Sequence, residues 1–207
     1  PTVSRVLALA KEQGIVKISI SNVNAVEHWE LERKLEKKFG LHEVIIVGEG
    51  SSEHEMKKAL GEAAARYLEY TIKDGNTVGV SMGSTLFEVV SHVMHPAAKR
   101  VTFVPLVGGV GRVRMELHAN SLAESLSRIY DGKFVPLHAP ARVSSRNIRD
   151  ELLKEESLLP AIRLTQRLDI AVVGIGYPNE KSAIMATGYF KENEIESLID
   201  RQVAGEL

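Results

Sequence analysis

The sequence predicts an α/β fold in which a parallel sheet is covered by helices on both faces. Short apolar segments that fit strands alternate along the chain with amphipathic segments that fit helices. Glycines directly follow several of the apolar segments, as they do where a strand turns sharply into a helix. Apolar strands separated by helices of these lengths form parallel sheets whose two faces are both buried. We therefore expect three layers, with the sheet in the middle.

The composition excludes several classes of protein. The 207 residues suffice for one large or two small domains with a well-buried core. Lys and Arg number 26 against 27 Asp and Glu, so the formal charge of −1 argues against binding nucleic acid through bulk charge alone. The absence of cysteine excludes disulfides and thiolate metal sites, and it fits a cytoplasmic location. No apolar run approaches the roughly 18 residues of a membrane-spanning helix.

The residue pattern at the start of the chain predicts a unit that is separate from the rest. Pro1 stands at a helix-start position, and Gly14 and Gly40 stand where helices end. The predicted elements are, in order, a helix over 1–13, a strand over 15–20 and a helix over 25–39. We expect the domain boundary after Ile20, so that residues 1–20 form one unit and residues 21–207 the other.

Strand and helix patterns then alternate to near the end of the chain. Each strand pattern is a short apolar run, and each helix pattern has apolar residues on one face. The predicted strands cover about 43–50, 77–83, 100–109, 134–141 and 168–176, and the predicted helices about 52–72, 84–92, 119–130 and 144–157.

Glycine-bearing turns follow three of these strands. They contain Gly83, the pair Gly108 and Gly109, and the glycines at 174 and 176. A single glycine turn is common for structural reasons alone. Three on the same edge of a parallel sheet are better support for a ligand site, because ligands bind at the carboxyl ends of the strands.

The stretch GVSMGST, residues 79–85, has two interpretations. GVSMG matches the nucleophile elbow of serine hydrolases, with Ser81 as nucleophile and Asp131 and His138 following in the required order. The chain lacks the upstream HGGG-like segment that supplies an oxyanion hole, and five-residue matches arise by chance. We therefore assign no catalytic residue.

The second interpretation of this stretch is an anion cradle. Gly83 lets the backbone approach a ligand, and Ser84 and Thr85 offer N–H groups and hydroxyls at the start of a helix, where the dipole favours a phosphate. A structural alternative is that Ser84 or Thr85 caps the helix, with Glu88 completing a capping box.

Other residues near this edge are candidates for the rest of a ligand. Gly108 and Gly109 open the neighbouring turn, Arg112 offers a cation, and His118 and Asn120 offer hydrogen bonds to sugar hydroxyls. His118 and Asn120 could instead only cap the helix that follows them. The histidines lack the spacing of metal ligands, so we expect no metal and no cofactor.

Residues along nearly the whole chain resemble the blocks of a known family. The segment PTVSRVLALAKEQGIVKISI resembles the recognition helix and following strand of SorC/DeoR-type bacterial transcriptional regulators. Five later segments resemble, in order, successive blocks of the sugar-binding domain of the same regulators: VGVSMGSTLFEV, FVPLVGGVG, HANSLAESL, LHAPARVSSRNIRDELLKE and DIAVVGIG.

The resemblance implies both a fold and a function. The fold would be Rossmann-like, similar to ribose-phosphate isomerase and glucosamine-phosphate deaminase. The ligand would be a phosphorylated sugar whose binding changes affinity for operator DNA. The family's phosphate turn falls on Gly83, Ser84 and Thr85, and its second ligand loop falls on residues 107–109. The full-length protein is expected to be a homodimer or homotetramer.

The resemblance also implies a DNA-binding remnant and one departure. Residues 1–20 would be an incomplete winged or helix-turn-helix unit whose helix presents Thr2, Val3, Ser4 and Arg5 to DNA, and which binds operators weakly on its own. Some relatives form a Schiff base through a Lys where this chain has Val107, so that covalent mode should be absent. The sugar-binding domain is expected to continue beyond residue 207.

A sugar-phosphate isomerase or deaminase is the alternative to a regulator. Such an enzyme shares the phosphate turn, but it also needs a carboxylate or Lys base near the sugar carbons. Asp74 and Asp131 stand at predicted loops away from the glycine turns, which favours the regulator.

Overall fold

The computed structural model describes residues 3, 5–6, 28–94, 96–111, 113–177, 187–188, 192–203 and 205. Contacts within the chain divide it into two compact units, Pro1–Gly48 and Glu49–Leu207. The boundary expected after Ile20 lies outside the described residues and stays a prediction.

The described part of the first unit contains one complete helix, α1, Trp29–Phe39. It ends at Gly40, whose left-handed conformation lets its N–H bond to the carbonyl of Glu36. The strand expected over 43–50 is wrong. The N–H groups of Val44 and Ile46 donate instead to the carboxylates of Glu36 and Glu32, at 3.1 and 2.8 Å. Helix side chains thus take the bonds that a neighbouring strand would have taken.

The second unit has the predicted α/β architecture. Its described elements are α2 (Glu53–Thr71), β1 (Thr77–Val80), α3 (Ser84–His92), β2 (Thr102–Pro105), a 3₁₀ turn (Met115–Leu117), α4 (Ala119–Ile129), β3 (Lys133–Phe134), α5 (Arg146–Leu152), α6 (Leu159–Thr165), β4 (Ile170–Val172) and α7 (Glu192–Asp200). The four strands are parallel and lie in the order β3-β2-β1-β4. The α/β parallel-sheet prediction is confirmed.

Two parts of the sequence prediction differ from the structure. The strand expected over 134–141 shortens to β3, because Pro136 has no N–H to donate and the backbone of Leu137 bonds to the Asn120 side chain instead. The helices α6 and α7 and the 3₁₀ turn were not expected. The helix expected over about 144–157 is present as α5, where the Ser145 side chain accepts from the N–H of Ile148 at its start.

The core lies between the sheet and helices α2, α3 and α4. Its largest fully buried side chains include Tyr130 and Phe103, whose rings pack 5.3 Å apart. Burial raises the pKa of Tyr130 to about 12, because the ionised phenolate would lose its solvation. Strands β1 and β2 are buried along three of their four residues, which fits central strands covered on both faces.

A close approach of two helices fixes the position of α3. A Cβ added to Gly61 in α2 would lie 2.5 Å from the Cβ of Glu88 and 2.7 Å from its backbone carbon. The glycine therefore lets α3 pack directly against the backbone of α2.

Candidate functional site

The candidate site lies at the carboxyl edge of the sheet. Val80 pairs with Pro105 where β1 and β2 end, and the N–H of Leu106 donates to the carbonyl of Val80 at 2.8 Å. The loops that follow the two strands therefore leave the sheet side by side. An isolated parallel bridge between Gly109 and Pro140 brings the loop after β3 to the same place.

The turn between β1 and α3 has the features of an anion cradle. Gly83 is the N-cap residue of α3, with φ 129° and ψ 166°, a conformation open to glycine but strained for other residues. A Cβ at this position would meet no atom of the described residues within 4 Å, so among them the space beside the turn is open. The capping alternative is wrong, because the cap is Gly83 itself and none of the side chains in the described ranges caps this helix.

The backbone hydrogen bonds around this turn leave N–H donors available at the start of α3. The N–H of Gly83 donates to the carbonyl of Leu117 at 3.1 Å, and its carbonyl accepts from Phe87 at 3.0 Å. Within the described part of the chain, the N–H groups of Ser84, Thr85 and Leu86 have no acceptor. Three donors at the positive end of a helix are a suitable site for a phosphate.

The second glycine turn joins two loops, a role that the sequence did not predict. A Cβ on Gly108 would lie 2.3 Å from the carbonyl oxygen of Ala139, so this glycine admits the loop after β3. Gly109 donates to Ala139 at 2.8 Å and accepts from Ala141 at 2.9 Å. The glycine pair therefore joins two loops of the site rim.

Asn120 and His118 hold loops of the same rim. The Asn120 amide donates to the carbonyl of Leu137 at 3.1 Å and accepts from its N–H at 3.0 Å. His118 Nε2 lies 3.0 Å from the carbonyl of Val113. Neither side chain caps α4, although His118 is its N-cap residue. Sequence reasoning missed the partners of both residues, because they are distant in sequence or belong to an irregular loop.

The structure describes only some of the other expected residues. Arg112 lies outside the described residues. Arg114, which follows it by two positions, is exposed and pairs with Glu116 at 3.2 Å. Of the residues expected to face DNA, Val3 and Arg5 are helical and exposed, whereas Thr2 and Ser4 lie outside the described residues.

The structure does not assemble the serine hydrolase triad. Lys133 is level with Thr102, and Thr102 is level with Thr77. Asp131 precedes that level by two residues and Ser81 follows it by four, which separates them by about 20 Å along the strands. The acid is thus at the amino edge and the serine at the carboxyl edge.

The two acids considered for an isomerase or deaminase, Asp74 and Asp131, are both distant from the turn. Asp74 lies before β1, at the amino edge, where it bonds to the N–H of Lys99 at 2.7 Å and to Arg100 at 2.8 Å. These bonds hold the pKa of its carboxyl below the usual value, the backbone bond most strongly. No group of three or more His, Asp or Glu able to hold a metal occurs in the described ranges. No described helix is long and apolar enough to cross a membrane.

Known proteins similar to this chain are transcriptional regulators. It is 28% identical to the sorbitol operon regulator of Klebsiella pneumoniae and 27% identical to the deoxyribonucleoside regulator of Bacillus subtilis (strain 168), covering 100% of the chain in each case. The chain spans 66% of the length of each regulator, just under two thirds.

Solved structures give the same result. The full-length SorC from Klebsiella pneumoniae superposes with a TM-score of 0.80 at 28% identity, covering 99% of this chain and 67% of that one. A DeoR family regulator from Listeria monocytogenes superposes with a TM-score of 0.76 at 31% identity, covering 86% of this chain and 70% of that one.

The match to a family model covers most of the chain. The model described as "Putative sugar-binding domain" matches residues 23–207. The resemblance to SorC/DeoR-type regulators noted in the sequence is thereby confirmed. This chain belongs to the sugar-binding domain family found in these comparisons.

Proposed function

We propose that this chain is the effector-binding part of a bacterial transcriptional regulator, and that its effector is a phosphorylated sugar bound at the start of α3. The relatives are regulators by name, including one of a sorbitol operon, which supports a regulatory role without turnover. The phosphorylated form of the sugar rests on the chemistry of the turn.

The observation that carries the proposal is the uncapped start of α3 beside Gly83. The N–H groups of Ser84, Thr85 and Leu86 lie at the carboxyl edge of a central strand, next to open space. A phosphate there accepts several hydrogen bonds, and the helix dipole adds about 0.3–1 kcal/mol. The hydroxyls of Ser84 and Thr85 are additional donors.

The sugar body would extend from this turn toward the neighbouring loops. Gly108 and Gly109 hold the loop after β3 in place along this path, and Asn120 and His118 hold the adjoining segments. We propose that Asn120 and His118 act mainly by positioning these loops. Arg112 stays a candidate for a contact with hydroxyls or a second phosphate.

Binding of the effector would control affinity for operator DNA in the full-length protein. We propose that residues 1–20, with Thr2, Val3, Ser4 and Arg5, belong to its DNA-binding unit, and that it acts as a homodimer or homotetramer. Val107 cannot form a Schiff base, so a covalent bond to the sugar through this position is absent.

Substitution of Thr85 tests the site. Thr85→Glu places a carboxylate where the phosphate would bind, while an acidic residue in the first turn keeps the helix stable. We expect calorimetric titration with a panel of sugar phosphates to give binding to the unchanged protein and at least about a tenfold loss in the variant, equivalent to about 1.4 kcal/mol. Circular dichroism should confirm the same fold.

Ser81→Ala is the matched control for this experiment. Ser81 precedes Gly83 in the same turn, and its N–H donates to the carbonyl of Val172 at 3.0 Å, a bond that alanine retains. We expect this variant to bind the same sugar phosphates within about twofold of the unchanged protein, since no large interaction is removed. Equal binding by Thr85→Glu would place the phosphate elsewhere, and labelling of Ser81 by an esterase probe would favour a hydrolase.

A further inference from the structure

Three loops lie side by side at the carboxyl edge of the sheet. They follow β1, β2 and β3, and they contain Gly83, Gly109 and Pro140 respectively. Neighbouring strands in a sheet are about 4.8 Å apart, so the loop after β3 lies about 10 Å across the edge from the start of α3. A ligand whose phosphate binds at α3 would extend across the middle loop toward the third.

The third loop holds Arg142 in a defined place. The residues before it, Ala139 and Ala141, exchange backbone hydrogen bonds with Gly109 at 2.8 and 2.9 Å. The close approach of Ala139 to Gly108 leaves no room for this loop to move inward. Arg142 therefore comes directly after a backbone segment that is held in place at the rim of the site.

Arg142 already binds a carboxylate in the structure. Its Nη2 lies 3.1 Å from Oε1 of Glu194, in the first turn of α7. The side chains are 45% and 38% exposed, and an ion pair that solvent reaches to this extent contributes little to stability. A stronger anion can therefore take the place of Glu194, since a guanidinium binds both carboxylates and phosphates in two-pronged fashion.

We infer that Arg142 selects the effector by the end opposite its phosphate, preferring a second anionic group there, and that Glu194 competes with that group for the guanidinium. This inference rests on the proposed phosphate turn at α3. An effector with a carboxylate or second phosphate takes the place of Glu194 at the guanidinium. One that ends in a hydroxyl leaves the ion pair in place.

Three probes with the same phosphate at carbon 6 test the inference by calorimetric titration. Glucose 6-phosphate ends in a neutral group, 6-phosphogluconate in a carboxylate, and glucose 1,6-bisphosphate in a second phosphate. We expect the two doubly anionic probes to bind about tenfold more tightly than glucose 6-phosphate, as one charge-assisted contact provides. A preference for only one of them would identify which anion Arg142 accommodates.

Two variants and a control assign this preference to the ion pair. Arg142→Gln should reduce the ratio of the affinities for the doubly anionic probes and for glucose 6-phosphate to about one, and it should leave glucose 6-phosphate binding unchanged. Glu194→Gln should increase this ratio by about threefold, because it removes a weak competing ion pair. Arg128→Gln removes an equivalent surface pair, with Glu124 at 2.7 Å, on the outer side of α4, and should change nothing.

Each outcome separates this inference from the proposed site. A preference that survives Arg142→Gln would overturn the role of Arg142. Loss of binding in Thr85→Glu would still uphold the phosphate turn. Equal binding of all three probes by the unchanged protein would also overturn the role of Arg142. Probes that bind neither the unchanged protein nor Thr85→Glu would overturn the phosphate turn and, with it, this inference.

Discussion

At the level of single residues, the proposed phosphate turn depends on the backbone conformation of Gly83. Its φ of 129° places the following N–H groups at the edge of the sheet, beside space in which an added Cβ would meet no described residue within 4 Å. The requirement for glycine is therefore conformational and does not come from crowding. An alanine here would fit sterically but would strain the backbone.

Gly83→Ala should weaken both folding and binding. We expect a loss of about 1–3 kcal/mol in the free energy of unfolding, because the residue must hold a conformation nearly restricted to glycine. Binding of sugar phosphates should fall as the turn relaxes. Urea denaturation and calorimetric titration measure the two effects. Gly48→Ala is the control, since its Cβ meets nothing and its φ lies outside the positive range, and it should change stability by less than about 0.5 kcal/mol.

The residues of this turn could be predicted from the sequence, whereas their neighbours could not. Gly83, Ser84 and Thr85 are contiguous, and a glycine between a strand and a helix is a local signal. The approach of Ala139 to Gly108 was not predicted, because the two residues are 31 positions apart and a glycine alone does not show what approaches it. Asn120 and Leu137 are likewise joined only by the fold.

At the level of elements, the joint between α2 and α3 decides where the phosphate turn lies. Gly61 brings α2 against the backbone of Glu88, which follows Gly83 by five residues, about one and a half helical turns. A shift of α3 at this joint would move the N–H groups at its start by a similar distance. The joint is therefore a structural support of the site as well as part of the core.

Gly61→Ala should destabilise the protein although alanine favours helix formation. The change gains about 1 kcal/mol of helix propensity. It also places a Cβ 2.5–2.7 Å from atoms of Glu88, including its backbone carbon, which cannot rotate away. Overpacking of this kind costs about 1–3 kcal/mol, so we expect a net loss of stability in urea denaturation. Lys58→Ala, exposed on the same helix, should be nearly neutral; a stabilised Gly61→Ala would contradict the close packing.

The secondary-structure elements were predicted best where the hydrophobic pattern of a segment fits the neighbour that it pairs with in the fold. Strands β1 and β2 are short apolar runs that pair inside the sheet, and both were expected. The apolar run over 43–50 has the same appearance, but Glu32 and Glu36 bond to its backbone, so it is not a strand. Whether an apolar run becomes a strand depends on its partner, which a local pattern does not contain.

At the level of the whole molecule, charge is the property that bears on DNA binding. Lys and Arg number 26 and Asp and Glu 27, and many of these charges are paired with each other on the surface. Non-specific DNA binding depends on cations that displace the counterions of the phosphates. A balanced chain lacks this driving force, so DNA affinity must come from a dedicated unit.

We therefore expect this chain alone to bind DNA weakly and without sequence preference. The helix that carries Val3 and Arg5 needs further supporting elements to hold a fixed register on the bases, and the regulators it resembles are about one and a half times as long. Fluorescence anisotropy with a labelled duplex should give a Kd no tighter than about 10⁻⁶ M, the strong end of non-specific binding at physiological salt. Sugar phosphate titration of the same sample shows that the protein is folded. Tight binding selective for one duplex sequence at this salt would mean that the chain already contains a working DNA-binding unit.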